Sequence, residues 1–216
     1  MENQQSREVS AKTVDEAIEI ALLELGAGRE EVEVEVLSRG KAGFLGIGSE
    51  LARVRVHRLA SGDNIASQTM VIVNKLLRAL GTTARPTLRS AHGADVGGPV
   101  VDIEGEDSGL LIGRRGETLR ALQFIVNLIV NKDRTEPARV LLDVEQYRER
   151  RYKALGEMAQ RIAEKVAETG RPVTLEPMSS AERRIVHVTL TDHPRVTTES
   201  AGLGAERRVT IAPKKP

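Results

Sequence analysis

Cysteine and tryptophan are absent from the 216 residues. Without a thiol there is no disulfide, no thiolate metal site and no cysteine nucleophile, and a reducing compartment is expected. Four aromatic residues occur, Phe44, Phe124, Tyr147 and Tyr152, too few for the base-stacking platform of an RRM. No apolar run approaches the roughly 20 residues that cross a bilayer, and residues 1–5 lack the basic and apolar regions of a signal peptide. A cytoplasmic protein with no direct membrane insertion is expected. The four histidines (His57, His92, His187, His193) form no HExxH pair, and no Gly-x-Ser-x-Gly or P-loop signature occurs. Residues 43–48 are glycine-rich but lack the Lys-Ser/Thr of a nucleotide loop. No metal site, no cofactor and no enzymatic activity are expected.

What is present is a soluble composition, 40% hydrophobic and 29% charged, with charge unevenly divided. Residues 1–60 carry 8 Lys/Arg against 11 Asp/Glu, a net −3, and residues 61–145 carry 10 against 11, a net −1. Residues 146–216 carry 14 against 9, a net +5. Basic character thus collects at the C-terminal end, as an electrostatic footprint for nucleic acid would, although an ordinary solvated face has the same signature.

The most informative stretch is Leu110-Leu111-Ile112-Gly113-Arg114-Arg115-Gly116-Glu117-Thr118-Leu119. Two glycines bracket two arginines, and a helical pattern follows in which Leu119, Leu122, Ile125, Val126 and Ile129 are expected to share a buried face. Glycine at both ends permits positive φ and close approach of another chain. The free amides and positive dipole at the start of the helix favour an anion, as do the two guanidinium groups. A Gly-x-x-Gly turn by itself more often only joins two helices. Here two strand-like runs (84–91 and 99–104) precede it and one (139–144) follows. Helix, strand, strand, helix, loop, helix, strand is the order of a type II KH domain, whose loop clamps a nucleic-acid backbone.

The rest of the chain reads as small α/β pieces. Thr13 and Glu16 make a capping box for a helix with a stripe of Val14, Ile18, Ala21, Leu22 and Leu25, stopped by Gly26. Val32, Val34 and Val36 alternate with glutamates, and 51–56 is a second alternating strand. Between these strands Lys41, Gly43, Phe44, Leu45 and Gly46 form a turn that is either a hairpin tip for a partner or a β-turn tucking Phe44 into its own core. Residues 65–80 read as a helix closed by Gly81, with Met70 to Val73 as core, and Asp107 starts a short helix. A long helix follows from Glu145 to about Thr169 with Leu155, Met158, Ile162 and Val166 inward, stopped by Gly170 and Pro172. Ser179 and Glu182 make a second capping box. On the helix it opens, Arg183, Arg184 and His187 form an outward arc, since Arg183 and His187 are four apart. An Arg-x-x-x-His pair alone is commonly just solvated.

The run "VVDIEGEDSGLLIGRRGETLRALQFIVNLIVNK" closely resembles the KH segment of the bacterial Jag (KhpB) family. Residues 8–57 resemble its N-terminal domain, whose signature is a KKGFLG run, with Ala42 departing from it. "PMSSAERRIVHVTL" resembles the R-three-H domain, a single-strand nucleic-acid-binding module, with Ala181 where an aromatic and Leu203 where an acidic residue is usual. The resemblance covers roughly residues 8–212. It implies an α/β (α+β) protein of three small domains: 1–58, a linker at 59–66, a type II KH domain at 67–145, an R-three-H domain at 146–212 and a basic tail at 213–216. It implies nucleic-acid binding through Gly113, Arg114, Arg115, Gly116, Arg183, Arg184 and His187, with single-stranded RNA, or single-stranded DNA, as the ligand. It further implies a non-enzymatic RNA chaperone or post-transcriptional regulator acting in cell-envelope and cell-shape processes, beside a small single-KH-domain partner. The rival is an adaptor whose N-terminal domain docks through Lys41, Gly43, Phe44, Leu45 and Gly46 on a membrane-associated protein of the insertion or envelope machinery.

Overall fold

A computed structural model describes residues 6–41, 50–59 and 64–214. The chain divides into two compact units, Met1–Glu145 and Gln146–Pro216.

The first unit begins with β1 (Ser6–Ala11), α1 (Val14–Leu25), β2 (Val32–Ser38) and β3 (Ala52–Arg58), the strands antiparallel in the order β1-β3-β2. Thr13 Oγ1 accepts the Glu16 N–H at 3.1 Å, while the Glu16 carboxylate accepts from the Lys12 N–H, so the predicted capping box closes one residue early. Gly26 ends α1 in the left-handed conformation. Alternation in the strands puts Val32, Val34, Val54 and Val56 against Ala17, Ile18, Ala21 and Leu22 of α1. Glu8 and Glu35 flank Arg55 across the other face, an exposed cross-strand ladder.

The same unit continues with α2 (Asn64–Ala79), β4 (Arg85–Gly93), β5 (Gly98–Glu104), α3 (Ser108–Ile112), α4 (Glu117–Val130) and β6 (Leu141–Val144). The order matches that read from the sequence for a KH domain. β4 and β5 are antiparallel, while β5 and β6 are parallel. A parallel pair requires a crossover, and α3, the glycine loop and α4 supply it. Met70, Val73 and Leu77 of α2 and Leu119, Leu122, Val126 and Val130 of α4 are buried, as are Leu88, Val101, Ile103, Leu142 and Val144 of the sheet. The buried stripe of α4 differs from the expected one. Val130 is inside, whereas Ile125 and Ile129 are each 40% exposed beside Phe124 (69%) and Leu128 (63%).

A polar ladder holds β6 to α4. Asn127 Oδ1 accepts the Val140 N–H (2.9 Å), and its Nδ2 donates to the Val140 carbonyl (2.9 Å). Asn131 does the same for Ala138 (2.7 and 2.9 Å), and Gln123 Oε1 accepts the Leu142 N–H (3.2 Å). Side chains four apart lie along one face of a helix, so these amides pair with the chain entering β6 as a neighbouring strand would.

Every residue of β5 from Gly98 to Ile103 is buried, a pattern of a strand covered on both faces. Helices cover one face. Toward the other, the N-terminal elements contribute Arg39, which pairs with Glu104 at 2.8 Å and Asp102 at 3.8 Å. Glu33 accepts the Ala91 N–H at 3.0 Å, and Arg29 donates to Thr87 Oγ1 at 2.8 Å.

The second unit holds α5 (Tyr147–Thr169), β7 (Val173–Thr174), α6 (Ser180–Leu190), β8 (Val196–Ala201) and β9 (Arg208–Pro213), with strand order β7-β9-β8. Ala159, Ala163 and Val166 of α5, Val186 and Leu190 of α6 and Val196, Val209 and Ile211 of the sheet form its core, with Met158 and Ile162 at the margin. The whole is an α+β protein of small three-stranded sheets.

Candidate nucleic-acid interface

The loop between α3 and α4 is built from left-handed residues. Gly113 has φ 67° and ψ −173°, Arg115 has φ 53° and ψ 32°, and Gly116 has φ 74° and ψ 19°. A Cβ on Gly113 would lie 2.0 Å from Thr118 Oγ1 and 2.8 Å from Thr118 Cβ, so only glycine fits. The Arg115 carbonyl accepts from Arg120 Nη1 at 3.1 Å. Arg120 had no assigned role in the sequence reading; it lies one helical turn past the loop. Arg114 is exposed and Arg115 half-buried. No side chain caps α4; the Gly116 and Glu117 N–H groups donate to the Gly113 and Arg114 carbonyls, and the positive end of the helix dipole lies at the loop. Asp107, expected to start α3, occupies the N-cap position but turns its carboxylate to Thr83, accepting from the N–H (3.1 Å) and the hydroxyl (3.0 Å).

The capping box that opens α6 is complete, with Ser179 and Glu182 each bonded to the other's backbone. Glu182 is 4% exposed and accepts from Arg151 Nε of α5 at 2.8 Å. Burial alone would raise its pKa; the bonds from Arg151 and from the Ser179 N–H and hydroxyl outweigh that and hold it below the usual value. This brace fixes how α6 sits on α5. The outward face is rotated from the expected arc: Arg184 and Val188 are exposed, while Arg183 and His187 are half-buried at the β8 side. His187 Nδ1 lies 2.6 Å from Thr198 Oγ1, and Nε2 lies 2.7 Å from Ser200 Oγ. Those hydroxyls carried no signal in the sequence, because pairing between a helix and a strand 11 and 13 residues on is not a local pattern. Leu203 is 89% exposed.

Lys41 exchanges backbone hydrogen bonds with Glu50 at 3.0 Å each way. Gly43, Phe44, Leu45 and Gly46 lie outside the described residues. Among the described residues no cluster of His, Asp or Glu is arranged to hold a metal ion, and no helix is long and apolar enough to cross a membrane.

Comparison with known proteins orders these pieces. Residues 9–58 match the model of the Jag N-terminus, 91–142 that of the KhpA/KhpB KH domain and 153–213 that of the R-three-H domain. The chain is 39% identical over 207 residues to the RNA-binding protein KhpB of Clostridium symbiosum, covering 96% of this chain and 91% of that one. It belongs to the KhpB family. KhpB of Bacillus subtilis (strain 168) is 32% identical over 208 residues, 95% of this chain and 97% of its own. KhpB of Lactiplantibacillus plantarum is 41% identical over 107 residues, half of this chain and 33% of that one. Within the KhpB frame the Gly113–Gly116 loop falls in the KH match, and α6 with β8 falls in the R-three-H match.

Proposed function

We propose that this protein binds single-stranded RNA without catalysing a reaction, and that the strand's phosphates lie on the loop formed by Gly113, Arg114, Arg115 and Gly116. The observation that carries this reading is the loop geometry. Three positive-φ residues turn the chain so that a 14-residue helix, capped by no side chain, starts directly after the two arginines, and such a helix start favours an anion. Arg183, Arg184 and the positively charged second unit supply a second stretch of contact. The relatives' name, RNA-binding protein KhpB, agrees with RNA as the ligand, and the scarcity of aromatics argues against base stacking. The cellular role that fits is RNA chaperone or post-transcriptional regulator in the cytoplasm, with effects on envelope and cell-shape processes. A small single-KH protein is the partner proposed for the exposed apolar face of α4, where Phe124 and Leu128 stand one turn apart. Domain limits of 1–58, 67–145 and 146–212 are the working division.

Arg114→Asp with Arg115→Asp tests the loop. Both glycines remain, and acidic side chains suit a helix start, so thermal stability stays near wild type. RNA affinity falls sharply, and the slope of log K against log salt flattens by about 1.4, roughly 0.7 per lost phosphate contact on a single strand. Unchanged affinity and slope would reduce the loop to a helix connector.

A further inference from the structure

Edge strand β8 turns Thr198 and Ser200 to the same side, toward α6. His187 bridges them through both ring nitrogens, at 2.6 and 2.7 Å. All three side chains are half-exposed, so the bridge lines a rim and not a core. Neither hydroxyl has another hydrogen-bond partner among the described residues. Arg183 stands one helical turn from His187, and Arg184 is exposed beside it.

A neutral imidazole offers one N–H and one acceptor nitrogen. Whichever nitrogen holds the proton, one hydroxyl must accept from the ring and the other must donate to it. The accepting hydroxyl keeps its own hydrogen. Burial, then the neighbouring Arg183 cation, hold the His187 pKa below the ordinary imidazole value, so the neutral ring prevails at pH 7. In either tautomer the group therefore keeps one O–H donor that the ring does not use, near the Arg183 guanidinium.

We infer that the Thr198 and Ser200 hydroxyl pair donates one hydrogen bond to a backbone phosphate oxygen of the bound strand, and that His187 is their positioning residue instead of a charged contact. This rests on the RNA-binding reading above. A hydroxyl donor beside the Arg183 cation suits an anionic oxygen, and a neutral His187 adds no charge of its own to the rim.

The test uses the full chain carrying Thr198→Val, Ser200→Ala, both together, or Thr198→Ser. Oligo(U) and oligo(A) are titrated as RNA and as their deoxy counterparts at several salt concentrations. The double variant is expected to bind all four roughly tenfold more weakly, the effect of losing one hydrogen bond to a charged group. Its salt slope stays at the wild-type value because no cation is lost. Thr198→Ser binds as wild type, and adding His187→Ala to the double variant causes no further loss, since the three act as one unit. Thermal melts identify the folded fraction for each variant. Wild-type affinity in the folded double variant overturns the inference and leaves the RNA-binding reading standing. A loss confined to one base or to ribose overturns the phosphate assignment. Absence of binding by the wild type sinks both readings together.

Discussion

Gly113 holds a backbone conformation, φ 67° with ψ −173°, that residues with a Cβ pay roughly 1–3 kcal/mol to adopt, and Thr118 occupies the space a Cβ needs. Gly113→Ala is expected to lower stability by about 3 kcal/mol, read as a shift in the urea midpoint. Gly116→Ala, in the milder left-handed region, costs about 1 kcal/mol. Equal losses would mean that the Thr118 contact is not what reserves position 113. Asp102 is a different kind of constraint. Burial first, then the like charges of Glu104 and Asp143, push its pKa up to about 6 against the pull of Arg89 and Arg39. Its Oδ1 is buried without a hydrogen-bond partner among the described residues. The unfolded pKa is about 3.9, so between about 4 and 6 the folded state binds the proton more readily. Stability therefore falls as pH rises through that window, and the full penalty applies above it. Asp102→Asn should stabilise the protein by roughly 1–3 kcal/mol at pH 7.5, with the gain gone near pH 4. Calorimetric melts across that range check it, and a gain independent of pH would place the effect elsewhere.

At the scale of elements, α4 does two jobs with two faces. Its buried stripe packs the sheet, while Gln123, Asn127 and Asn131 hydrogen-bond the chain entering β6. Asn127→Ala leaves the Val140 N–H and C=O without these partners, and an orphaned buried polar group costs about 1–3 kcal/mol. We expect a loss of roughly 2–3 kcal/mol in urea unfolding. Asn127→Asp keeps the acceptor and should fall between the two. Because the helix start is where we propose that phosphate binds, a slackened α4 should also weaken RNA binding in the folded protein. Retention of full stability in Asn127→Ala would show that water replaces the ladder without cost.

At the scale of the whole molecule, two surfaces of opposite character stand out. The second unit is cationic, and α4 presents Phe124, Ile125, Leu128 and Ile129 to solvent. Contiguous exposed apolar side chains mark interaction sites. Phe124→Glu with Leu128→Glu is expected to abolish co-purification of a single-KH partner while RNA affinity stays within about twofold and stability within about ±0.5 kcal/mol. A complex that survives both charges would move the docking surface off this helix. The Arg29–Thr87 hydrogen bond and the Arg39–Glu104 ion pair also matter at this scale. They join the N-terminal elements to the sheet of β4, β5 and β6 within one unit, across what composition reads as a linker.

The sequence by itself determined the local features. Valine–glutamate alternation yields β2, Ser179 and Glu182 cap α6, and Gly26 and Gly170 end their helices, because each depends on residues within a few positions of one another. The Gly113–Gly116 turn was legible for the same reason, as was the element order around it. Tertiary structure decided the rest. Nothing local says that Arg39 reaches Asp102 and Glu104, that Asn127 serves Val140, or that His187 turns both nitrogens to β8. Nor could periodicity tell Ile125 and Ile129 from Val126 and Val130, since all four are apolar and a helical stripe has no marked edge. Which of them is covered depends on where α2 and the sheet lie, and distant segments set that position.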